Sequence, residues 1–145
     1  MRIRAFLFAA AFGTALTACA DAGPVEPSGK PALGVNSTRE IYVDAVTYRG
    51  GVYSSSSGGY AKGWATPVSS GTGYQMGDVE ADGNDGQYMT ENTGYTGQLD
   101  AFKYDSGCTF QWLRGPHTVI STAATIYLSD FPTVDYFTLK ISCPS

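Results

Sequence analysis

The stretch Tyr136-Phe137-Thr138-Leu139-Lys140-Ile141-Ser142-Cys143, near the end of the chain, alternates with a period of two. Phe137, Leu139, Ile141 and Cys143 share one parity, and Tyr136, Thr138 and Lys140 share the other. Side chains of a strand point alternately to its two faces, so the first set faces a core and the second faces away from it. Cys108, Phe110 and Trp112 repeat the arrangement within Cys108–Arg114. Two strands therefore each set a cysteine on an apolar face. No segment after Cys19 shows a convincing helical period of 3.6, so the chain reads as all-β.

Glu40–Tyr48 is rich in β-branched and aromatic residues and reads as another strand. Further strands are expected at Tyr60–Thr66, Gly73–Ala81, Gln87–Glu91, Gln98–Tyr104 and Thr118–Leu128, and the closing strand at Val134–Cys143. Turn residues separate them, among them Pro67-Val68-Ser69-Ser70-Gly71, Asp82-Gly83-Asn84-Asp85-Gly86 and Gly115-Pro116. About eight short strands with regular turns predict a small antiparallel β-sandwich over residues 39–145, immunoglobulin-like or barrel-like. Thr118–Leu128 is ambiguous, because Ala123-Ala124 also suits a short helix. Ser54–Gly59, four serines and two glycines, reads as a mobile loop.

The first residues are of a different kind. Arg2 and Arg4 precede an apolar run from Ala5 to Ala15, followed by small residues. That is the pattern of a secretory signal. The run is too short to span a membrane, which takes about 20 apolar residues. Leu16-Thr17-Ala18-Cys19 then resembles the lipobox of bacterial lipoproteins: Leu, a small residue, Ala or Gly, then Cys. The resemblance covers the first 19 residues only. It implies cleavage after residue 18 and acylation of Cys19, which anchors the chain in a membrane. Each buried CH₂ of an acyl chain contributes about 0.8 kcal/mol. The alternative is ordinary cleavage after Ala20, since Ala18-Cys19-Ala20 also fits the small-x-small rule. Ala20 stands where an inner-membrane retention signal has Asp, so the resemblance implies an outer-membrane address. Residues 19–38 are rich in Pro and Gly and cannot form a core. They read as a tether, with a reach of roughly 25 Å if flexible.

An exported chain with two cysteines beyond Cys19 implies a Cys108–Cys143 disulfide. Closing that loop stabilises a fold by about 3 to 4 kcal/mol in the chain-entropy model. The shared parity with Phe110 and Trp112 suggests a buried bridge packed by Trp112. A cystine beside a Trp loosely resembles immunoglobulin-like sandwiches. The resemblance is limited, because the tyrosine-corner spacing before Cys143 is missing and the cysteines are close in sequence. It implies no function.

Charge and composition exclude more than they assign. The chain has 9 basic and 13 acidic residues, and its formal net charge is −4. It lacks the basic footprint of a nucleic-acid binder and a polybasic segment for anionic lipid. His117 is the single histidine. It follows Gly115-Pro116 and reads as a turn residue, and no Gly-x-Ser-x-Gly elbow accompanies it. Gly71-Thr72-Gly73-Tyr74-Gln75-Met76-Gly77 misses the dinucleotide-loop spacing and no helix follows it. No cofactor is expected. Asp78, Glu80 and Asp82 lie at alternate positions, which on a strand places them on one face, and Asp85 follows in the turn. Such a cluster can hold Ca²⁺ or serve a hydrolase, although position twelve of the calcium-loop pattern is Met89 and not Glu. Tyr53, Tyr60 and Tyr95 sit in or beside Gly/Ser-rich loops, a composition that resembles adaptable binding surfaces.

The reading is therefore a lipid-anchored envelope protein with a non-enzymatic binding or structural β domain, its partner a glycan or an envelope protein. The alternative is an exported hydrolase or Ca-binding domain built on the acidic cluster. Mass spectrometry of the mature N-terminus is expected to find an acylated Cys19. An unmodified chain beginning at Asp21 would overturn the lipobox reading.

Overall fold

The alternation along Glu40–Tyr48 becomes the central strand of the larger of two sheets. In the computed structural model, which describes residues 38–145, that strand is β1 (Arg39–Arg49). The expected signal segment, Cys19 and the expected tether up to residue 37 lie outside the described residues. Ile41, Val43, Ala45 and Thr47 of β1 are buried, while Tyr42, Asp44, Val46 and Tyr48 point outward and are only partly covered. Nine more strands follow: β2 (Val52–Ser54), β3 (Gly59–Pro67), β4 (Tyr74–Glu80), β5 (Gln87–Glu91), β6 (Tyr95–Lys103), β7 (Thr109–Arg114), β8 (Thr118–Ser121), β9 (Thr125–Tyr127) and β10 (Tyr136–Cys143). The expected strand Thr118–Leu128 is two strands, β8 in one sheet and β9 in the other. A bend at Ala123-Ala124 separates them, where a helix was the alternative, and a 3₁₀ turn over Leu128–Asp130 follows β9.

The architecture is a two-sheet sandwich. Six strands form one sheet in the order β2-β1-β10-β7-β8, with β5 also paired to β1, and four form the other in the order β4-β3-β6-β9. β2 and β5 share one edge of β1: β5 pairs with residues 39–43 and β2 with residues 47–49. The sandwich is not purely antiparallel. β1 and β10 run parallel over eight residue pairs, from Tyr42 beside Tyr136 to Arg49 beside Cys143. β2, β5, β7 and β8 of the same sheet come between them in sequence, yet the first and last strands of the described residues meet side by side at its centre.

The two sheets fit by matching small residues to large ones. The alternate residues Gly59, Ala61, Gly63 and Ala65 are the buried face of β3. The opposing sheet contributes Ile41, Met89, Trp112, Phe137, Leu139 and Ile141, all buried to 1% exposure or less. A side chain at Gly63 would collide with the Met89 sulfur. Each fully buried large apolar side chain contributes about 1.5–3 kcal/mol. The six-stranded sheet thus supplies the volume and β3 supplies the room for it.

Ser54–Gly59, expected to be a mobile loop, is a docked crossing between the sheets. The Gly58 amide donates to Thr47 Oγ1 at 2.8 Å, and the Gly58 carbonyl accepts from the Tyr104 amide at 2.8 Å. The Thr47 hydroxyl in turn donates to the Ala81 carbonyl at 2.6 Å. The glycine is needed here because a Cβ on Gly58 would lie 3.0 Å from both Cys143 Sγ and Thr47 Cγ2.

The expected Cys108–Cys143 disulfide is present, with Cα atoms 4.1 Å apart. Both cysteines are buried, at 1% and 6% exposure. The bridge joins two neighbouring strands of one sheet, since Ser142 pairs with Thr109 one step away. An immunoglobulin-type bridge joins the two sheets, so the resemblance stops at the pair itself. Trp112 lies in the same buried core as both cysteines. It stands opposite Leu139, four residues from Cys108 and about 13 Å away along an extended strand. Gly58 and Thr47 are the groups beside Cys143.

At the far end of the sandwich Arg39 clamps the return into β10. Its guanidinium donates to the carbonyls of Leu128 at 2.8 Å, Phe131 at 2.7 Å and Val134. Burial lowers the Arg39 pKa from its ordinary value, and the charges of Glu91 and Asp135 oppose that shift. Glu91 is itself buried and accepts a hydrogen bond from the Gly97 amide.

The bridge closes a loop of 35 residues. The Cys108→Ala/Cys143→Ala variant is expected to lose about 3 to 4 kcal/mol of stability. Urea unfolding with and without the bridge measures this, and the loss should be the same in the parent protein after reduction.

Candidate functional site

The outward parity of β1 builds the most distinctive surface. Tyr42 and Tyr48 lie on the same outer face, six residues apart. Residues directly opposite in neighbouring strands share a face, and the register sets a tyrosine beside each of them. Tyr42 pairs with Tyr136 of β10 and with Tyr88 of β5, and Tyr48 pairs with Tyr53 of β2. Five tyrosines are thus gathered on one side of the six-stranded sheet. Tyr53 is 49% exposed and Tyr88 65%, which leaves large ring area in water on a rigid strand scaffold.

The rings fall into two groups. In the first, Tyr42 is 5.0 Å from Tyr88 and 5.2 Å from Tyr136, centroid to centroid. In the second, Tyr48 meets Tyr53 edge-on at 6.3 Å, and the Lys140 ammonium sits 4.7 Å from the Tyr48 ring centre. Beside the second group is a shallow hollow of about 270 Å³, floored by Val46 and Leu113 and rimmed by His117 and Val119. The expected turn histidine is therefore exposed at the edge of this face.

Asp44 lies between the two groups, opposite Thr138. It accepts a hydrogen bond from the Ala45 amide at 2.8 Å. Burial pushes its carboxyl above the ordinary aspartate value, and hydrogen bonds from Ala45 and Tyr136 hold that shift partly back. The Thr138 hydroxyl beside it is buried without a hydrogen-bond partner, as is the Trp112 indole N–H in the core. The face as a whole offers ring surfaces, carboxylates and one ammonium. These are groups for recognition.

The three tyrosines singled out from loop composition do not share a surface. Tyr53 belongs to the face just described, and its hydroxyl donates to the Asp82 carbonyl at 2.8 Å. Tyr60 and Tyr95 belong to the other sheet, at opposite ends of the β3–β6 pairing. Tyr60 stacks on Phe102 at 4.7 Å, and Tyr95 meets the Tyr74 edge at 4.9 Å. Tyr74 reaches the end of β5, donating to the Thr90 carbonyl at 2.9 Å and accepting from the Asn92 amide at 2.7 Å. The loop composition misled because the glycines serve close packing and turns. The outward parity of Tyr42, Tyr48 and Tyr136 was the usable signal.

The acidic cluster does not form either. Asp78 and Glu80 do point outward from β4, on either side of buried Val79. Glu80 is already occupied: it accepts from Ser57 at 2.8 Å and from the Tyr104 hydroxyl at 2.6 Å. That hydrogen bond pushes the Tyr104 phenol up to about 12. Asp78 pairs across the strand with Lys62. Asp82 lies beyond the end of β4, where it accepts from the amide and the side chain of Asn84, both at 2.9 Å. Asp85 is exposed in the same turn. The strand ends before Asp82, so the parity that would align all three carboxylates ends too. Among the described residues no three His, Cys, Asp or Glu side chains are placed to hold a metal ion, and Asp78, Glu80, Asp82 and Asp85, the residues expected to hold calcium, are not gathered in one group.

No family model, no curated protein and no solved structure matches this chain.

Asp44 gives this face a pH signature. Its folded pKa is raised, so its protonation favours the folded state. That contribution is fully present below the unfolded aspartate pKa and is lost as pH rises through the folded value. Thermal melts across the acidic range should therefore show a smaller loss with rising pH in Asp44→Asn than in the parent. Parallel curves for the two proteins would contradict the assignment.

Proposed function

We propose that this chain is a lipid-anchored protein of the bacterial cell envelope whose β domain works by binding. The anchor is the acylated Cys19 implied by Leu16-Thr17-Ala18-Cys19, and the address is the outer membrane. The ligand is an envelope glycan or an envelope protein held on the outer face of the six-stranded sheet. The observation that carries this reading is the register that assembles Tyr42, Tyr48, Tyr53, Tyr88 and Tyr136 on that face. Tyrosine rings provide large, rigid contact area at a low entropic cost, and their hydroxyls add hydrogen bonds at the rim. Leaving them in water on strands stabilises the fold little, which is what a surface kept for a partner looks like.

The test compares single substitutions in the full chain, held in an uncharged detergent. Retention on isolated envelope glycan and on solubilised envelope proteins is measured. Tyr48→Ala is expected to weaken retention about tenfold or more, as truncation of a central aromatic contact does. Melting temperature should change by only a few degrees. Tyr60→Ala, on the other sheet, should leave retention unchanged. Equal effects of the two substitutions would sink the reading.

A further inference from the structure

At the start of β1 and β10 the tyrosine face is hollowed. The hollow, about 410 Å³, is lined by Tyr42, Tyr88, Tyr136, Glu40 and Asp135. Tyr42 is its centre, with Tyr88 inclined to it at 60° and Tyr136 at 74°. All three rings line the hollow, with Tyr136 set edge-on to Tyr42. The central ring is pinned at both ends. Its backbone amide donates to the Asp135 carbonyl at 2.7 Å, and its hydroxyl accepts from the Gly86 amide at 3.0 Å.

The charges at this hollow have one sign. Aromatic faces carry the negative part of a quadrupole and attract a cation within about 6 Å of the ring centre. Glu40 and Asp135, both exposed, add two carboxylates at the rim. Arg39, the neighbouring cation, lies on the opposite face of β1 and donates to the carbonyls of Leu128, Phe131 and Val134. An anionic ligand would meet two carboxylates beside the rings. A neutral sugar could stack on the rings but would bring no charge to the exposed Glu40, while Asp135 has Arg39 as a cationic neighbour. A primary ammonium is strongly hydrated and brings three N–H donors, which ring faces satisfy poorly.

We propose that this hollow binds a methylated alkylammonium group, its methyls against Tyr42, Tyr88 and Tyr136 and its charge offset by Glu40 and Asp135. The inference rests on the binding function proposed above and names the ligand chemistry for one end of that face. A free choline-like solute and a choline lipid headgroup present the same group.

The test titrates the full chain, in an uncharged detergent, with choline chloride and with the uncharged isostere in which carbon replaces the nitrogen. Choline should bind about tenfold more tightly than the isostere. Tyr88→Ala should weaken choline binding severalfold, and so should the Glu40→Gln/Asp135→Asn variant. Tyr88 is exposed, so Tyr88→Ala should keep the parent melting behaviour; the Asp135 charge acts on Arg39, so the melting of the carboxylate variant is measured beside its binding and the variant is judged only while folded. Tyr88→Phe keeps the ring and should keep the affinity. Equal binding of choline and its isostere overturns the proposal, as does no choline binding by the folded protein, or a loss in Tyr88→Phe as large as in Tyr88→Ala. Phosphatidylcholine vesicles separate the two sources. Capture that free choline displaces assigns the site to the lipid headgroup, and choline binding without capture assigns it to the free ion. Loss of choline binding in a protein whose envelope retention still depends on Tyr48 would refute the cage and leave the binding function standing.

Discussion

The parallel pairing of β1 with β10 is the constraint on which the rest of the structure depends. It joins the first and last strands of the domain at the centre of the six-stranded sheet. A parallel pair cannot be closed by a tight turn, and here the crossover is the whole remainder of the domain. Several devices hold this junction. The Cys108–Cys143 bridge ties the end of β10 to β7. Gly58, in the crossing to β3, lies between Cys143 and Thr47 of β1. Arg39 gathers the three carbonyls of the turn that leads into β10.

That junction also accounts for the outer surface. A strand whose inner side chains are locked in a core has its outer side chains placed with the same precision. Ile41, Val43 and Phe137 are fully buried, so Tyr42 and Tyr136 between them have little freedom to separate. β5 docks on β1 through Met89, which fills the space left by Gly63 of the facing sheet. Tyr88, its neighbour in sequence, is carried to the outside of Tyr42 as a result. The exposed aromatic cluster and the buried small-to-large packing are two faces of one register.

The sites suggested by composition failed for a common reason. Glycine and serine between tyrosines were read as pliant loop, but Gly58, Gly59, Gly63 and Gly97 are buried where a Cβ would press on packed side chains or, at Gly59, on the neighbouring backbone. Alternating carboxylates were read as a cluster, but the alternation ends with β4 at Glu80. The individual carboxylates are engaged with Ser57, Tyr104 and Asn84. In each case the residue types were right for a site, and the local backbone gave them another task.

The fold class was legible because it depends on local pattern. Alternation in Glu40–Tyr48 and in Phe137–Cys143 states which side chains go inward, whatever the partner strand is. The pairing of the cysteines was legible too, since two cysteines beyond Cys19, both on apolar faces, leave one combination. Strand order, the parallel contact of β1 and β10, and the division of Thr118–Leu128 between two sheets depend on contacts between residues distant in the chain. Periodicity carries no information about those. The candidate site falls between the two cases. The outward direction of Tyr42, Tyr48 and Tyr136 follows from parity, which the sequence contains. Their assembly with Tyr53 and Tyr88 follows from inter-strand register, which only the packing of the two sheets decides.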